Sequence, residues 1–249
     1  MASLLVAVLP ACSSSNDSAS GKYGGSVKVG IFDNFPGFCV NNNPANSALM
    51  ATRTIYETLF EKTEDGKFVG LLAKDATPSA DLKTWSVNLR EGITFHDDTP
   101  FNADAVVANF NAITGRVAAA AFATSGVTGL QAKSYTVGTG TAFTANILEA
   151  KKTGEYSVDF ILERPQNDFP ATLYASGRFF MRAPAQLADA NTCGQKPIGT
   201  GPFTFSSFTP SQLVVKRNDN YWRKDPQTNA QLPYLDDITF DVVISVLPA

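Results

Sequence analysis

The chain has 249 residues, 44% hydrophobic and 17% charged, enough apolar content to bury one large or two small cores. Twenty Lys and Arg against 23 Asp and Glu leave a formal charge of -3 with no long run of one sign, so no nucleic-acid partner is expected. One histidine, His96, and three cysteines, Cys12, Cys39 and Cys193, are too few and too scattered for a closed zinc site, and neither a metal nor a cofactor is expected.

The chain opens on an apolar run, MASLLVAVLPA, and then turns abruptly polar at CSSSNDSAS. The run is too short to span a bilayer as a helix and has the size of a signal-peptide h-region. Its basic n-region is missing, so a start further upstream is expected. Leu9-Pro10-Ala11-Cys12 resembles the lipobox of bacterial lipoproteins, which implies lipidation at Cys12, with Ser13 to Ser20 as a tether. Residues 1–23 are thus expected to be a signal and lipobox remnant with a Ser-rich linker.

Gly25 to Phe32 alternates Val27, Val29 and Ile31 with Ser26, Lys28 and Gly30, the period of a half-buried strand. Asp33 to Asn46 is a loop rich in Asn, Pro and Gly. The spacing of Leu49, Arg53, Tyr56 and Phe60 predicts a helix over Ser47 to Phe60, capped by Ser47. A turn at Glu64-Asp65-Gly66-Lys67 is followed by a strand over Thr84 to Arg90 with Trp85, Val87 and Leu89 facing in. Asn102 caps an expected helix over Ala103 to Ile113, ended by Gly115, with Val106, Phe110 and Ile113 on one face.

Val117 to Thr144 carries no clear period beyond a short helix and loops. Tyr156, Val158, Phe160 and Leu162 then mark a strand within Ile147 to Arg164, and further strands are expected at Phe203 to Phe208, Leu213 to Arg217 and Ile238 to Ile244. The pattern is α+β. The tail, DVVISVLPA, has neither cap nor polar terminus, and a cut chain is expected.

Catalytic signals are weak, and no catalytic residue is assigned. His96 follows a strand next to Asp97 with no second histidine or thiol nearby, which reads as a structural turn residue. The pairs Asp97-Asp98 and Asp236-Asp237 are adjacent in sequence and point apart rather than converge. Gly138-Thr139-Gly140 lacks the lysine and βαβ context of a phosphate loop, and no Gly-x-Ser-x-Gly elbow occurs.

Three stretches together resemble the family 5 extracellular solute-binding proteins, the oligopeptide, dipeptide and nickel-binding group of ABC importers. They are YETLF at Tyr56 to Phe60 with Gly70 to Ala73 after it, LREGITFHDDTPFNADAVVANFNAI at Leu89 to Ile113, and PIGTGPFTFSSFTPSQLVVKRNDNYW at Pro197 to Trp222. One departure is Asp98, where the family has Gly; Asp tolerates a left-handed turn position at modest cost.

The resemblance implies a periplasmic-binding-protein-like fold, type II and cluster C-like. Lobe one would comprise residues 24–60 and 165–249, with residues 61–164 as an inserted subdomain and the second lobe largely absent. It implies a non-enzymatic, lipid-anchored protein of the periplasm or cell surface that hands a peptide or other small solute to ABC permease subunits in the membrane. By position, Phe38, Asn41, Asn42 and Asn43 after the first strand, with Gly199, Thr200 and Gly201, are expected to line the ligand site. The family layout also implies a Cys39–Cys193 disulfide joining the two pieces of lobe one, and export would place both in an oxidising compartment. A structural envelope lipoprotein, or a secreted hydrolase whose catalytic half lies elsewhere, stays open as an alternative.

Overall fold

Alternation of apolar and polar side chains is what builds the sheets. The computed structural model describes residues 23–39, 46–114, 144–189 and 194–243, and these form three sheets. The export segment with Cys12, the Asn41, Asn42 and Asn43 run, Gly115 with the Ala- and Gly-rich stretch after it, Cys193 and the tail beyond Val243 lie outside the described residues. Among the described residues no helix is long and apolar enough to cross a membrane.

The first sheet has the order β1 (Ser26–Ile31), β10 (Asp237–Val242), β9 (Gln212–Arg217) and β8 (Phe203–Thr209). β1 and β10 run parallel, with Val29 opposite Phe240, and the remaining pairs are antiparallel. Parallel partners demand a long connection, and the rest of the described fold lies between these two strands in sequence. β2 (Phe60–Lys62) and β3 (Phe68–Gly70) form a small hairpin across the expected Glu64–Lys67 turn. The third sheet has the order β4 (Ala73–Pro78), β5 (Thr84–Leu89), β7 (Ser157–Leu162) and β6 (Ile147–Gly154). In β5, Trp85, Val87 and Leu89 are buried and Ser86 and Asn88 exposed, as the alternation predicts.

Helix α2 (Ala103–Thr114) carries the expected cap, with the Ala105 N–H donating to Asn102 Oδ1 at 3.1 Å. The first helix departs from expectation. α1 spans only Asn46–Thr52, and Phe60 begins β2. Beyond Thr52 the backbone is drawn off by tertiary partners: the carbonyls of Thr54 and Ile55 accept from the Phe203 and Gly201 N–H groups at 3.0 and 2.9 Å. Ser47 lies inside the helix rather than capping it. Its hydroxyl accepts from the Phe32 and Asp33 N–H groups, while its own N–H donates to Asp33 Oδ2 at 2.9 Å. The Ser47 hydroxyl also donates to Asp33 and, with its N–H, holds the Asp33 carboxyl below the ordinary range.

Two apolar clusters divide the fold. One holds Ile31, Phe38, Ile55, Tyr56, Phe180, Leu213, Val215 and Phe240. The other holds Leu59, Leu72, Trp85, Phe101, Phe110, Phe160 and Phe169, with Leu173, Ala175, Phe179 and Met181. Residues beyond Pro165 thus contribute to the second cluster. Phe169, opening α3 (Phe169–Tyr174), packs on Phe160 and Trp85 with ring centroids 5.4 and 5.7 Å away, so these residues stay with the second core. Phe179 and Phe180 point to different cores.

Candidate functional site

The three stretches that carry the family resemblance meet at one place. Glu57, from YETLF, is buried, and three donors surround its carboxylate: Tyr221 Oη at 2.7 Å, Trp222 Nε1 at 2.9 Å and Thr200 Oγ1 at 2.9 Å. Burial pushes its pKa up, against the pull of those donors and of the nearby Arg223. Arg90 and Arg223 both stack on the Trp222 indole, with Cζ 5.4 and 5.7 Å from its centroid.

His96 fastens the same knot from the other side. Its N–H donates to Gly199 O at 2.9 Å, its ring Nε2 faces Gly201 O at 2.9 Å, and the Gly199 N–H donates to Nδ1 at 3.4 Å. A carbonyl on Nε2 and an N–H on Nδ1 fit only the neutral ring with its proton on Nε2. Burial lowers the His96 pKa accordingly, against the Gly201 bond and the charge of Asp97. Asp97 Oδ1 accepts from the Thr99 hydroxyl at 2.6 Å, and Asp98 adopts φ 63, the left-handed turn position expected of it.

The expected ligand residues that are described all face inward. Phe38 is 1% exposed and packs against Tyr56, Phe205 and Phe208. Thr200 is buried on Glu57, and Gly199 and Gly201 sit against the backbone of Ile55, where an added Cβ would come within 2.1 and 2.6 Å of Ile55 O. The glycines allow two backbones to approach closely at this point. Tyr56 links the two groups: its hydroxyl donates to Gln186 Oε1 at 2.8 Å, Gln186 donates to Phe38 O at 3.2 Å, and the Ile198 N–H donates to Gln186 Oε1 at 2.9 Å. Arg182, buried, donates to Phe38 O and lies over the Tyr56 ring. Asn41, Asn42 and Asn43 lie outside the described residues, as do Cys12 and Cys193. Cys39 is disulfide-bonded, and an added Cβ on Gly194 would lie 3.5 Å from its sulfur.

Exposed apolar side chains occur where β1 ends. Phe32 is 78% exposed although its backbone is held by Ser47. Met50, 50% exposed, stands one helical turn from Asn46 on α1. Asn46 Oδ1 accepts from Arg178 Nη2 at 3.2 Å, which brings in the turn after α3. There Ala175, Ser176 and Gly177 are all left-handed, at φ 45, 54 and 77. For the two non-glycine residues this costs roughly 1–2 kcal/mol each, and such strain gathers at functional sites. The sequence signal that sequence reasoning missed is an arginine, Arg178, set directly before the apolar run Phe179-Phe180-Met181.

The family described as bacterial extracellular solute-binding proteins, family 5 Middle, matches residues 67–246. The chain belongs to this family. Among curated relatives of this family 5 chain, the nickel-binding periplasmic protein of Escherichia coli (strain K12) is 27% identical over 213 residues, covering 82% of this chain and 36% of the relative. The glutathione-binding protein GsiB of the same strain is 30% identical over 218 residues, covering 86% of this chain and 37% of the relative. The family 5 chain thus spans little more than a third of the length of these relatives.

Solved structures agree on the fold. The periplasmic binding protein DppA of Helicobacter pylori, in complex with the peptide STSA, superposes with a TM-score of 0.69 at 21% identity, over 89% of this chain and 43% of that one. The oligopeptide-binding protein AppA of Bacillus subtilis, in complex with a nonapeptide, gives 0.69 at 22% identity, over 89% and 40%. The fold is that of a type II periplasmic binding protein, mixed α and β, with the chain covering part of it. Among the described residues of this family 5 chain, no group of three or more His, Cys, Asp or Glu side chains is placed to hold a metal ion.

Proposed function

We propose that this protein is the extracytoplasmic solute-binding component of an ABC importer, capturing a peptide or a related small solute and delivering it to permease subunits in the membrane. It acts without catalysis, closing around the solute so that the permease reads the closed form. The observation that carries this reading is the exposure of two large apolar side chains around α1: Phe32, whose N–H donates to Ser47 of that helix, and Met50 within it, while the described residues of the family motifs are buried in the framework. β1 supports the same reading. Among the described residues it is the edge of its sheet, open to an added strand from an extended ligand.

The expected ligand residues then act one layer down. Gly199, Thr200 and Gly201 position the Ile55–Glu57 segment, and Phe38 with Arg182 anchors the loop that follows β1. Lipidation at Cys12 would hold the protein on the outer face of a membrane, and pairing of Cys39 with Cys193 would fix the loop to the Gly199 segment. The test is thermal shift of the full chain against pooled small peptides, metal chelates and sugars. A ligand that binds only the folded state raises the melting temperature in proportion to ln(1 + [L]/Kd). A rise in one pool is expected, and no rise in any pool would overturn the reading.

A further inference from the structure

We infer that the cavity between β4, the turn after β5 and Trp222 binds the phosphate group of a free small solute between Lys74 and Arg90. This site shares no residue with the surface at Phe32 and Met50 and does not depend on the solute-capture reading. The cavity measures about 530 Å³ and is lined by Lys74, Arg90, Glu91, Gly92, Ile93 and Trp222. A bulge in β4 brings the lysine there. Ala73 pairs with Leu89 and Asp75 with Asn88, so Lys74 is the extra residue and has no partner on β5. Bulges re-aim a side chain and gather beside functional sites. The Lys74 ammonium accordingly reaches past the end of β5 to Glu91 Oε1, at 3.2 Å.

Arg90 is held in place by the framework. Its Nε donates to Leu71 O at 2.7 Å, its Nη2 to Gly70 O at 3.4 Å and its backbone N–H to Leu72 O at 2.9 Å, while the guanidinium lies over the Trp222 indole. Among the described residues Nη1 has no acceptor, and no carboxylate lies within ion-pair distance of Arg90, whereas Arg217 holds Asp219 and Asp236 and Arg223 holds Glu61. A guanidinium already fixed loses little freedom when it meets an anion. Gly92 leaves the turn open, with φ 74 and no atom within 4 Å of the place a Cβ would take. The exposed Lys74–Glu91 pair contributes little, so an incoming anion displaces Glu91 at small cost and gains both cations. Phosphate, with close to two negative charges and several acceptor oxygens at neutral pH, suits a fork and a point charge that come from different segments.

Inorganic phosphate is the probe, titrated into the full chain at pH 7.5 and constant ionic strength while the Arg90 side-chain Nε–Hε and Trp222 indole N–H resonances are followed by NMR. Saturable shifts of both are expected. Lys74→Gln, which removes one of the two cations, should raise the phosphate Kd about tenfold. Glu91→Gln, which removes the competing carboxylate, should lower it about threefold. Both side chains are exposed, and unchanged urea midpoints would show that both variants fold. A gain of affinity in Glu91→Gln is an outcome that misfolding does not produce. Shifts that match those from chloride, or a Kd that neither variant moves, would overturn the inference, and equal saturation by acetate would overturn the phosphate assignment. Vesicles of phosphatidic acid that bind where inorganic phosphate does not would overturn the assignment to a free solute.

Discussion

Glu57 and Trp222 lie 165 positions apart, yet the indole N–H donates to the carboxylate at 2.9 Å, inside a shell that Tyr221 and Thr200 complete. This contact ties the segment after α1 to the chain beyond β9. It also places a buried carboxyl group at the junction of these two segments.

Replacing that carboxyl group leaves donors stranded. Glu57→Gln presents an N–H₂ group to donors and should destabilise the full chain by about 2–3 kcal/mol, since unsatisfied buried groups cost ~1–3 kcal/mol and more when charged partners are involved. Urea denaturation at pH 7 reads the change.

The same residue sets a pH slope. Burial raises the Glu57 pKa above its ordinary value of 4.5, so in the window between the two the folded state holds more protons than the unfolded state. Stability therefore falls as pH rises through that window. The slope should be present in wild type and missing in Glu57→Gln.

His96 gives the opposite slope. Its folded pKa lies below 6.5, so the unfolded state takes up protons first and stability is lost as pH drops below that value. A protonated ring would also set an Nδ1–H against the Gly199 N–H. Urea midpoints should fall for wild type between pH 7.5 and pH 5.5, and His96→Phe should start lower and lose this dependence.

Gly199 and Gly201 should tolerate no side chain. Ala at either position would place Cβ within 2.1 or 2.6 Å of Ile55 O, and overpacking of this kind costs ~1–3 kcal/mol or more. Thermal melts of both variants should show a clear drop, larger for Gly199→Ala.

The bond at Cys39 fixes a further expectation. Non-reducing peptide mapping of the native protein should recover Cys39 linked to Cys193, with Cys12 in a separate acylated peptide. Reduction should lower stability by about 2–4 kcal/mol, as loss of a loop-closing bridge does. A Cys12–Cys39 peptide would exclude this pairing.

Much of the fold was legible because its strands alternate cleanly. Trp85, Val87 and Leu89, and Val158, Phe160 and Leu162, are buried at every second position, as period-two patterning demands. The end of α1 was not legible. Leu49, Arg53, Tyr56 and Phe60 keep helical spacing, but the Thr54 and Ile55 carbonyls are claimed by residues that lie far away in sequence, and local propensity carries no record of that.

The motifs were legible as a family signature. Gly199, Thr200 and Gly201 have the composition of a loop that approaches a ligand, and here they approach the backbone of Ile55. Glu57 and Arg182 each left a trace: a charge set among large apolar residues, Tyr56 and Leu59 in one case, Phe180 and Met181 in the other. A charge in such a setting is paired or hydrogen-bonded once folded. The surface at Phe32 had no such trace, because exposure at the end of a strand depends on which neighbours cover it.

Amide hydrogen exchange of the full chain, with and without pooled small peptides, metal chelates and sugars, tests the central claim most directly. The account predicts slowed exchange in one pool at Phe32 to Asn34, at Asn46 to Met50 and at Ser176 to Arg178. Unchanged exchange in every pool, or protection confined to other parts of the described fold, would contradict it.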